Sequence, residues 1–358
     1  MKLLFIRDYM DYGGASKMIA AVASAMADRG HTCFLYAYAS ETCPLPLPDG
    51  VTLIPGKPFL KNRALRHAAK IGEIRRVLRS VDPDLIVTFL PYPSILTILA
   101  KCGLHKKIVI SERGDPAVYG GFIRLIGHRI LARADGAVFQ TEGARDFYTC
   151  RLHEKSVVIP NAVTLRKVER LPWEKRKDEI AFVGRFFNRQ KRQDIMVEAF
   201  ALLSANHPDL SLVFYGDGED IDMIRALVRE KGLDSRVRFA GSVAPIEPHL
   251  RTARMFVLTS DYEGIPNALI EAMCVGLPCV AADCTPGGAR LLIRDGENGL
   301  LVPRGDAAAV AAACEKLLAD PKKAEIMGEK AQQIIDTFSP EAVYPQWEEY
   351  LKQIAGQG

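Results

Sequence analysis

Four charged residues in the second half of the chain have the types and spacing needed to act on a diphosphate ester. Arg185 and Lys191 lie six positions apart in GRFFNRQKRQ, after an apolar run, and Glu263 and Glu271 lie eight apart in DYEGIPNALIEAM. Cations there can neutralise charge that builds on a leaving diphosphate. The carboxylates can accept hydrogen bonds from sugar and ribose hydroxyls. Together they indicate transfer of a group from a diphosphate ester.

The start of a helix is predicted between the two glutamates. Gly264 and Pro266 open the segment, and Gly276 with Pro278 ends it. Because the segment follows the apolar run RMFVLTS, it begins at the carboxyl edge of a sheet, where open α/β folds bind ligands. Its free amides and positive dipole end suit a diphosphate. Glu271 lies about five residues into this helix, roughly 7.5 Å along its axis.

Two doubly wound α/β units are predicted to position these residues, because short apolar runs alternate with helix-length segments in both halves. Strands are expected in the first half at KLLFIR, CFLYAY, DLIVTFL, KIVISE, GAVFQT and SVVIPN. Strands are expected in the second half at EIAFVGR, LSLVFYGDG, VRFAG, RMFVLTS, PCVAAD and GLLVP. The fold class is therefore two Rossmann-like parallel-sheet domains, and we expect them to face a central cleft.

The domain boundary is predicted near residue 168, within the charged segment LRKVERLPWEKRKDE. Residues 1–168 would form an acceptor-binding domain and residues 169–339 a nucleotide-sugar-binding domain. A final helix within about 340–358 carries Trp347, Tyr350 and Leu351 on one face. We expect this helix to dock on the first domain and make it discontinuous.

Composition indicates a globular cytoplasmic protein. Of 358 residues, 48% are apolar and 25% charged, and the net charge is only +4. The eight cysteines include no CxxC pair, which argues against a zinc site or a disulfide framework and favours a reducing compartment. The opening MKLLFIRDYM reads as a buried strand rather than a signal peptide, and no apolar run approaches the length needed to span a bilayer.

Positive charge is concentrated in the first half. Residues 1–165 contain 22 Lys and Arg against 14 Asp and Glu. Much of the excess lies in one stretch with interleaved apolar residues, at Lys61, Arg63, Arg66, Lys70, Arg75, Arg76 and Arg79. Such a helix could contact an anionic membrane surface at the inner face of the cell membrane, or it could be a solvated face packed on its own domain.

These motifs together resemble the retaining glycosyltransferase family 4, which has the GT-B fold. The resemblance rests on Arg185 with Lys191, GDG at 216–218, RFAG at 238–241 and the E-x7-E segment from Glu263 to Glu271. It extends over nearly the whole chain. GGASK at 13–17 resembles the family's GGAER loop, with Lys17 where Arg is usual, and IPNAV at 159–163 resembles its domain-closing segment.

The resemblance implies a role for each matching residue. Arg185 and Lys191 would hold the donor diphosphate, Glu271 the ribose hydroxyls and Glu263 the donor sugar. Gly14 would let the backbone approach the phosphates. The remaining residues expected to bind the donor are Lys17, Gly216, Asp217 and the amides of Ile265, Asn267 and Ala268. Pro266 has no N–H to give.

One motif departs from the family pattern. Many members carry a His after the fourth strand of the first domain, aimed at the donor sugar, whereas this chain has SERGDP. Arg113 is our candidate for a contact with the donor sugar, but Ser111, Glu112 and Asp115 stay open as replacements. The stretch resembles a bacterial subgroup that builds surface polysaccharides, lipopolysaccharide and glycans on lipid carriers.

The expected activity is transfer of a hexose or N-acetylhexosamine from a nucleotide sugar, with UDP as the family-weighted nucleotide, to a glycan or lipid-linked acceptor. No cofactor and no metal are expected, because the chain lacks the clustered DxD acids of the other common glycosyltransferase fold. No nucleic-acid partner is expected. Two alternatives stay open: a nucleotide-sugar 2-epimerase of the same fold, and a bilobal binding protein without turnover.

Overall fold

A computed structural model describes residues 1–11, 14–43, 47, 49–56, 63–121, 123–148, 150–162 and 168–356. They form two compact units. The N-terminal unit comprises Met1–Ala162 and Pro340–Gly358, and the C-terminal unit comprises Val163–Ser339. None of the described helices combines the length and the apolar character needed to cross a membrane.

The N-terminal unit is built on a parallel sheet of seven strands in the order β3-β2-β1-β4-β5-β6-β7. The strands are Lys2–Arg7 (β1), Thr32–Ala37 (β2), Val51–Pro55 (β3), Leu85–Phe89 (β4), Lys107–Ser111 (β5), Gly136–Phe139 (β6) and Ser156–Val158 (β7). The strand order reverses between β1 and β4, so the unit has the doubly wound topology that binds ligands at the carboxyl ends of its strands.

Helices cover both faces of this sheet. They are Gly14–Asp28 (α1), Arg63–Val81 (α2), Pro91–Ala100 (α3), His128–Leu131 (α4), Glu142–Asp146 (α5) and Cys150–His153 (α6), with a 3-10 turn at Pro116–Val118 and a π-helical turn at Ile123–Gly127. The central strands are buried along their whole length, which explains why they read as continuous apolar runs.

The C-terminal unit contains a parallel sheet of six strands in the order β10-β9-β8-β11-β12-β13. Its strands are Glu179–Val183 (β8), Ser211–Tyr215 (β9), Val237–Gly241 (β10), Met255–Leu258 (β11), Cys279–Ala282 (β12) and Leu300–Val302 (β13). The order reverses between β8 and β11, which pair directly through Met255 and Ile180. This reversal places the loops after β8 and β11 side by side.

The helices of this unit are, in chain order, Asn188–Lys191 (α7), Gln193–Ser204 (α8), Ile221–Glu230 (α9), Glu247–Thr252 (α10), Asn267–Cys274 (α11), Gly288–Leu292 (α12), Ala307–Ala319 (α13), Pro321–Ala331 (α14) and Ile334–Thr337 (α15). A 3-10 turn occupies Trp173–Lys175. Two apolar clusters pack against the sheet, one containing Phe182 and Phe214 and the other containing Leu258 and Leu269.

The last helix, Pro340–Ala355 (α16), belongs to the N-terminal unit. The Trp347 side chain is fully buried and stacks on Phe89 at the end of β4, with ring centroids 6.1 Å apart. The Tyr350 hydroxyl accepts a hydrogen bond of 2.8 Å from the Ala137 amide and donates one to the Lys155 carbonyl. Helix α16 therefore supplies core side chains that the first 162 residues lack.

Candidate active site

Lys191 and Glu263 meet at the reversal point of the C-terminal sheet. Lys191 ends α7, in the loop after β8, and Glu263 lies in the loop after β11. The Lys191 ammonium donates a hydrogen bond to Oε1 of Glu263 and forms an ion pair with it. The two side chains are only 16% and 10% exposed. The pair therefore lies where this fold class binds its ligands.

Three further contacts hold the Glu263 carboxylate in place. The Ser260 hydroxyl donates to Oε1 over 2.9 Å, and the Gln190 amide lies 3.5 Å from Oε2. The Glu263 amide donates to the carbonyl of Thr285 over 2.8 Å. Because both carboxylate oxygens have donors and the backbone is tied to a neighbouring loop, the carboxylate has a defined direction.

Arg185 and Lys191 both lie in the segment between β8 and α8. A Cβ atom on Gly184 would sit 3.4 Å from Cδ of Lys191, so the lysine chain runs across the residue that precedes Arg185. The Arg185 carbonyl accepts a hydrogen bond of 2.9 Å from Gln193. Its guanidinium lies 5.8 Å from the centre of the Phe187 ring. One loop therefore presents both cations.

A cavity of about 400 Å³ opens beside Arg185 and is lined by Arg185, Phe186, Phe187 and Glu219. The backbone around it is closely packed. Gly216 has φ of +136°, and a Cβ there would lie 2.1 Å from the Gly184 carbonyl oxygen. The Phe186 amide donates to the carbonyl of Asp217 over 2.9 Å. Gly216 and Asp217 thus pack directly against the backbone on either side of Arg185.

Helix α11 begins four residues after Glu263, with Pro266 at its N-cap. The amides of Leu269 and Ile270 donate to the Pro266 carbonyl, at 3.1 and 3.2 Å. Among the residues described, none accepts a hydrogen bond from the amides of Ile265, Asn267 and Ala268. The amides of Asn267 and Ala268 are unpaired donors of the first helical turn, and that of Ile265 lies just before the N-cap.

The other glutamate of the pair, Glu271, lies further along α11. It is the fifth residue of that helix and is half-buried.

Arg192, directly after α7, has a backbone conformation that is unfavourable for a residue other than glycine. Arg192 lies between α7 and α8 with φ and ψ of +50°, in the left-handed region. Its guanidinium binds both oxygens of Asp194, at 3.0 and 3.1 Å, and Oδ2 of Asp261 at 3.0 Å. The Thr259 hydroxyl contacts the carbonyls of Lys191 and Arg192 at 2.9 and 2.8 Å. These bonds fix the turn that directs Lys191.

Gly288 forms another close approach at this edge. A Cβ on Gly288 would lie 1.8 Å from the carbonyl oxygen of Gly264, the residue that follows Glu263. Only glycine allows α12 to start against this loop.

The predicted residues of the GGASK loop lie in the N-terminal unit. Gly13 lies outside the described residues. Gly14 is the first residue of α1 and is exposed, and a Cβ built on it would meet no atom within 4 Å. Lys17 is also exposed on α1. In the basic stretch 61–79, Lys61 lies outside the described residues.

Glu112 in SERGDP is buried and accepts four hydrogen bonds. Two come from the hydroxyls of Tyr119 and Tyr148, at 2.7 and 2.6 Å, and two from the amides of Arg113 and Gly114. Burial raises the pKa of this carboxyl, and the hydrogen bonds act against that shift. Asp115 is also buried and accepts from the Ala117 amide at 2.8 Å. Both carboxylates brace the turn after β5.

The structure places the Arg113 guanidinium inside the N-terminal unit. It donates to the Ser111 hydroxyl at 2.7 Å and to the side chain of Asn161 at 3.2 Å, and it lies 5.0 Å from the ring centre of Trp347. Burial lowers its pKa to about 9. Its buried Nη2 has no hydrogen-bond partner among the described residues. Gln140 donates to Asn161 through Nε2, and its buried Oε1 likewise has no partner among the described residues.

No group of three or more His, Cys, Asp and Glu side chains in the described part of the chain is arranged to hold a metal ion. Each cysteine whose side chain is described is free. Burial raises the pKa of Cys284, two residues before Pro286 in the Thr285 loop, to about 12. A thiol of that pKa stays protonated at neutral pH and is a poor nucleophile.

Comparison with known proteins identifies the family. A family model described as "Glycosyltransferase Family 4" matches residues 12–167, and one described as "Glycosyl transferases group 1" matches residues 177–320. The chain is 34% identical over 368 residues to the lipopolysaccharide core biosynthesis glycosyltransferase LpsE of Rhizobium meliloti, covering 96% of each chain. The chain belongs to glycosyltransferase family 4. It is an enzyme, and its two parallel-sheet units are the Rossmann-like domains of the GT-B fold.

Other relatives of this glycosyltransferase vary in coverage. An α-1,4-N-acetyl-D-galactosaminyltransferase of Campylobacter jejuni, whose named substrate is a glycan on undecaprenyl diphosphate, is 25% identical over 361 residues, covering 99% and 98% of the two chains. An exopolysaccharide phosphotransferase of Streptomyces coelicolor is 29% identical over 80% of this chain, but the chain spans only 30% of that protein. The crystal structure of Anabaena HepE in complex with UDP has a TM-score of 0.80 at 19% identity, covering 99% and 100% of the chains.

Several residues that hold the Lys191–Glu263 pair in position were not predicted from the sequence. Gln190, Ser260 and Thr259 contact it or its backbone. Ser260 and Thr259 end the apolar run RMFVLTS, and a polar residue at the carboxyl end of a predicted strand is a signal that could have found them. The Arg192 turn has no such signal, because nothing in the sequence reveals its φ.

Proposed function

We propose that this glycosyltransferase transfers a hexose or N-acetylhexosamine from a UDP-sugar to a glycan or lipid-linked acceptor in surface polysaccharide biosynthesis. The proposal rests above all on one observation: Lys191 and Glu263 form a mostly buried ion pair at the sheet reversal, just before α11 and in the segment that also contains Arg185. Cations, a carboxylate and open helix amides are the groups that a nucleotide-diphosphate sugar requires.

Each group has a part in the proposed donor complex. Arg185, Lys191 and the amides of Ile265, Asn267 and Ala268 bind the diphosphate. Glu263 accepts hydrogen bonds from the sugar, and Glu271 from the ribose. The cavity beside Arg185, which Phe187 also lines, adjoins the same loop and can take part of the nucleotide.

The reaction then needs charge stabilisation more than acid–base chemistry. The bond between the anomeric carbon and the phosphate oxygen breaks, and negative charge grows on the diphosphate next to Arg185 and Lys191. The acceptor hydroxyl attacks the oxocarbenium-like carbon from the same face, and its proton passes to the departing phosphate oxygen. Retention of configuration is proposed from the family, and no divalent metal is required because the two cations supply the positive charge.

Residues of the N-terminal unit complete the proposal. Gly14 and Lys17, at the start of α1, would contact the phosphate side of the donor. Arg113 is proposed, from the resemblance to the family, to contact the donor sugar. The N-terminal unit would also bind the acceptor and could contact the inner face of the cell membrane.

The nature of the donor and acceptor is supported by relatives. HepE was crystallised with UDP, and the Campylobacter enzyme acts on a glycan carried by undecaprenyl diphosphate. Both likenesses support the choice of nucleotide and acceptor class without fixing the sugar.

A nucleotide-sugar panel tests the proposal. Thermal unfolding is measured with UDP-, GDP- and ADP-linked sugars, since a ligand at 100 times its dissociation constant stabilises by about 2.7 kcal/mol. The stabilising donor is then incubated with polyprenyl-diphosphate glycans, and nucleoside diphosphate release and the product anomer are followed. A UDP-sugar that stabilises the protein, with release dependent on acceptor and a retained anomer, is expected. Interconversion of sugars without acceptor would contradict the proposal and indicate an epimerase.

A further inference from the structure

Glu263 and Lys191 have different partners in the proposed donor complex, yet they bind each other in this structure. The proposed function gives Lys191 the diphosphate and Glu263 the sugar, and this inference rests on it. The Lys191 ammonium donates directly to the Glu263 carboxylate. A diphosphate that approaches Lys191 therefore approaches a carboxylate of its own sign.

The carboxylate cannot readily turn away from Lys191. Ser260 and Gln190 donate to its two oxygens, and its backbone amide is bound to the carbonyl of Thr285. Its side chain is 10% exposed, so water and salt screen its charge less than they screen a surface carboxylate.

Two neighbouring arginines are bound to other acceptors. The Arg192 guanidinium is already engaged by Asp194 and Asp261. Arg304 is directed to the main-chain carbonyl of Asp261. Arg185, which lies in the same segment after β8, is left to assist Lys191.

The complete donor and its product differ in what they offer Glu263. A donor brings sugar hydroxyls, which donate to the carboxylate and stabilise its charge. A nucleoside diphosphate lacks the sugar, so its phosphates face the carboxylate with no compensating donor. We propose that Glu263 weakens binding of the nucleoside diphosphate product by competing with its phosphates for Lys191, so that the enzyme prefers the intact donor and releases the product.

Affinity measurements with Glu263→Gln test this proposal, because glutamine keeps the shape and removes the charge. The probe is whichever of UDP, GDP and ADP binds the wild-type protein most tightly, measured by calorimetry at low salt. The variant is expected to bind that nucleotide at least about threefold more tightly than wild type. The gain should largely persist in 1 M NaCl, because salt screens a mostly buried carboxylate less than a surface one.

Two further variants keep the result interpretable. Asp222→Asn removes the same charge from an 89% exposed side chain of the same unit and should leave the affinity unchanged. Glu263→Ala should tighten binding as Glu263→Gln does, and thermal unfolding establishes that each variant is folded. Equal or weaker binding by both folded Glu263 variants overturns the inference. Failure of the wild-type protein to bind any of the three nucleotides overturns the proposed function instead.

Discussion

Lys191 and Glu263 form an ion pair although 72 positions separate them in the chain. The doubly wound topology brings them together, because β8 and β11 are neighbours in the sheet but not in sequence. The loops after these two strands therefore share one edge. A cation and an acid at that edge are held by the fold itself before any substrate binds.

Replacing Lys191 or Glu271 by Ala should lower turnover by about 10²-fold, because each is proposed to bind the nucleotide-sugar donor where water is excluded. Steady-state rates of nucleoside diphosphate release measure the effect. Lys175→Ala removes the same charge from an exposed side chain of the same unit and should keep the wild-type rate. Wild-type rates for both site variants would remove these residues from the mechanism.

Activity should not depend on a divalent metal, because Arg185 and Lys191 supply the positive charge that the leaving group needs. Transfer rates are compared in EDTA and in Mg²⁺ or Mn²⁺ after dialysis against chelator. The rates should agree within error. A strict requirement for either ion would contradict this part of the mechanism.

Gly216→Ala should destabilise the C-terminal unit strongly, since its Cβ would lie 2.1 Å from the Gly184 carbonyl at φ of +136°. A loss of about 2 kcal/mol or more in the free energy of unfolding is expected. Gly232→Ala is the matched control, because its φ is +67° but its Cβ would meet nothing within 4 Å. Denaturant unfolding should show a smaller loss, about 1 kcal/mol, for the control.

Arg192 should act by holding the turn that directs Lys191. The left-handed conformation costs a non-glycine residue roughly 1–2 kcal/mol. In Arg192→Ala this cost remains, but the ion pairs that offset it are lost. Its kcat/KM should fall by about tenfold, while Arg192→Gly, which adopts that conformation freely, should keep most activity. If the glycine variant is as impaired as the alanine variant, the guanidinium has a role beyond the turn.

Arg113→Lys should destabilise the protein more than Arg113→Met. Lysine keeps a buried charge but loses the forked hydrogen bonds, whereas methionine is neutral and packs against Phe89 and Trp347. A difference of about 1–3 kcal/mol in unfolding free energy is expected. If Arg113 contacts the donor sugar as proposed, both variants also lose transfer at temperatures where they are folded. Full activity of Arg113→Met would limit Arg113 to a structural role.

Much of the fold could be predicted because buried parallel strands read as apolar runs. KLLFIR and EIAFV are buried along nearly their whole length and were found in this way. Strand β3, Val51–Pro55, was missed because it lies at the sheet edge and is only half-buried, so its sequence contains no continuous apolar run. Exposure of an edge strand removes the signal on which the prediction depends.

The charged residues of the candidate site could be predicted from the sequence, but the residues that hold them in position could not. Arg185, Lys191, Glu263 and Glu271 stand in recognisable motifs, and the helix start at Asn267 follows from Pro266. The turn at Arg192 depends instead on Asp194 and Asp261. Such contacts are set by packing between distant loops, which local sequence does not encode.

Helix α16 has a consequence for how the polypeptide matures. Phe89 and Arg113 pack against Trp347, which the ribosome adds more than 230 residues after either of them. The nascent N-terminal unit therefore emerges with an apolar groove where α16 will lie, while the C-terminal unit, whose segment is continuous, can fold first. The N-terminal unit therefore cannot complete its core until α16 has been synthesised.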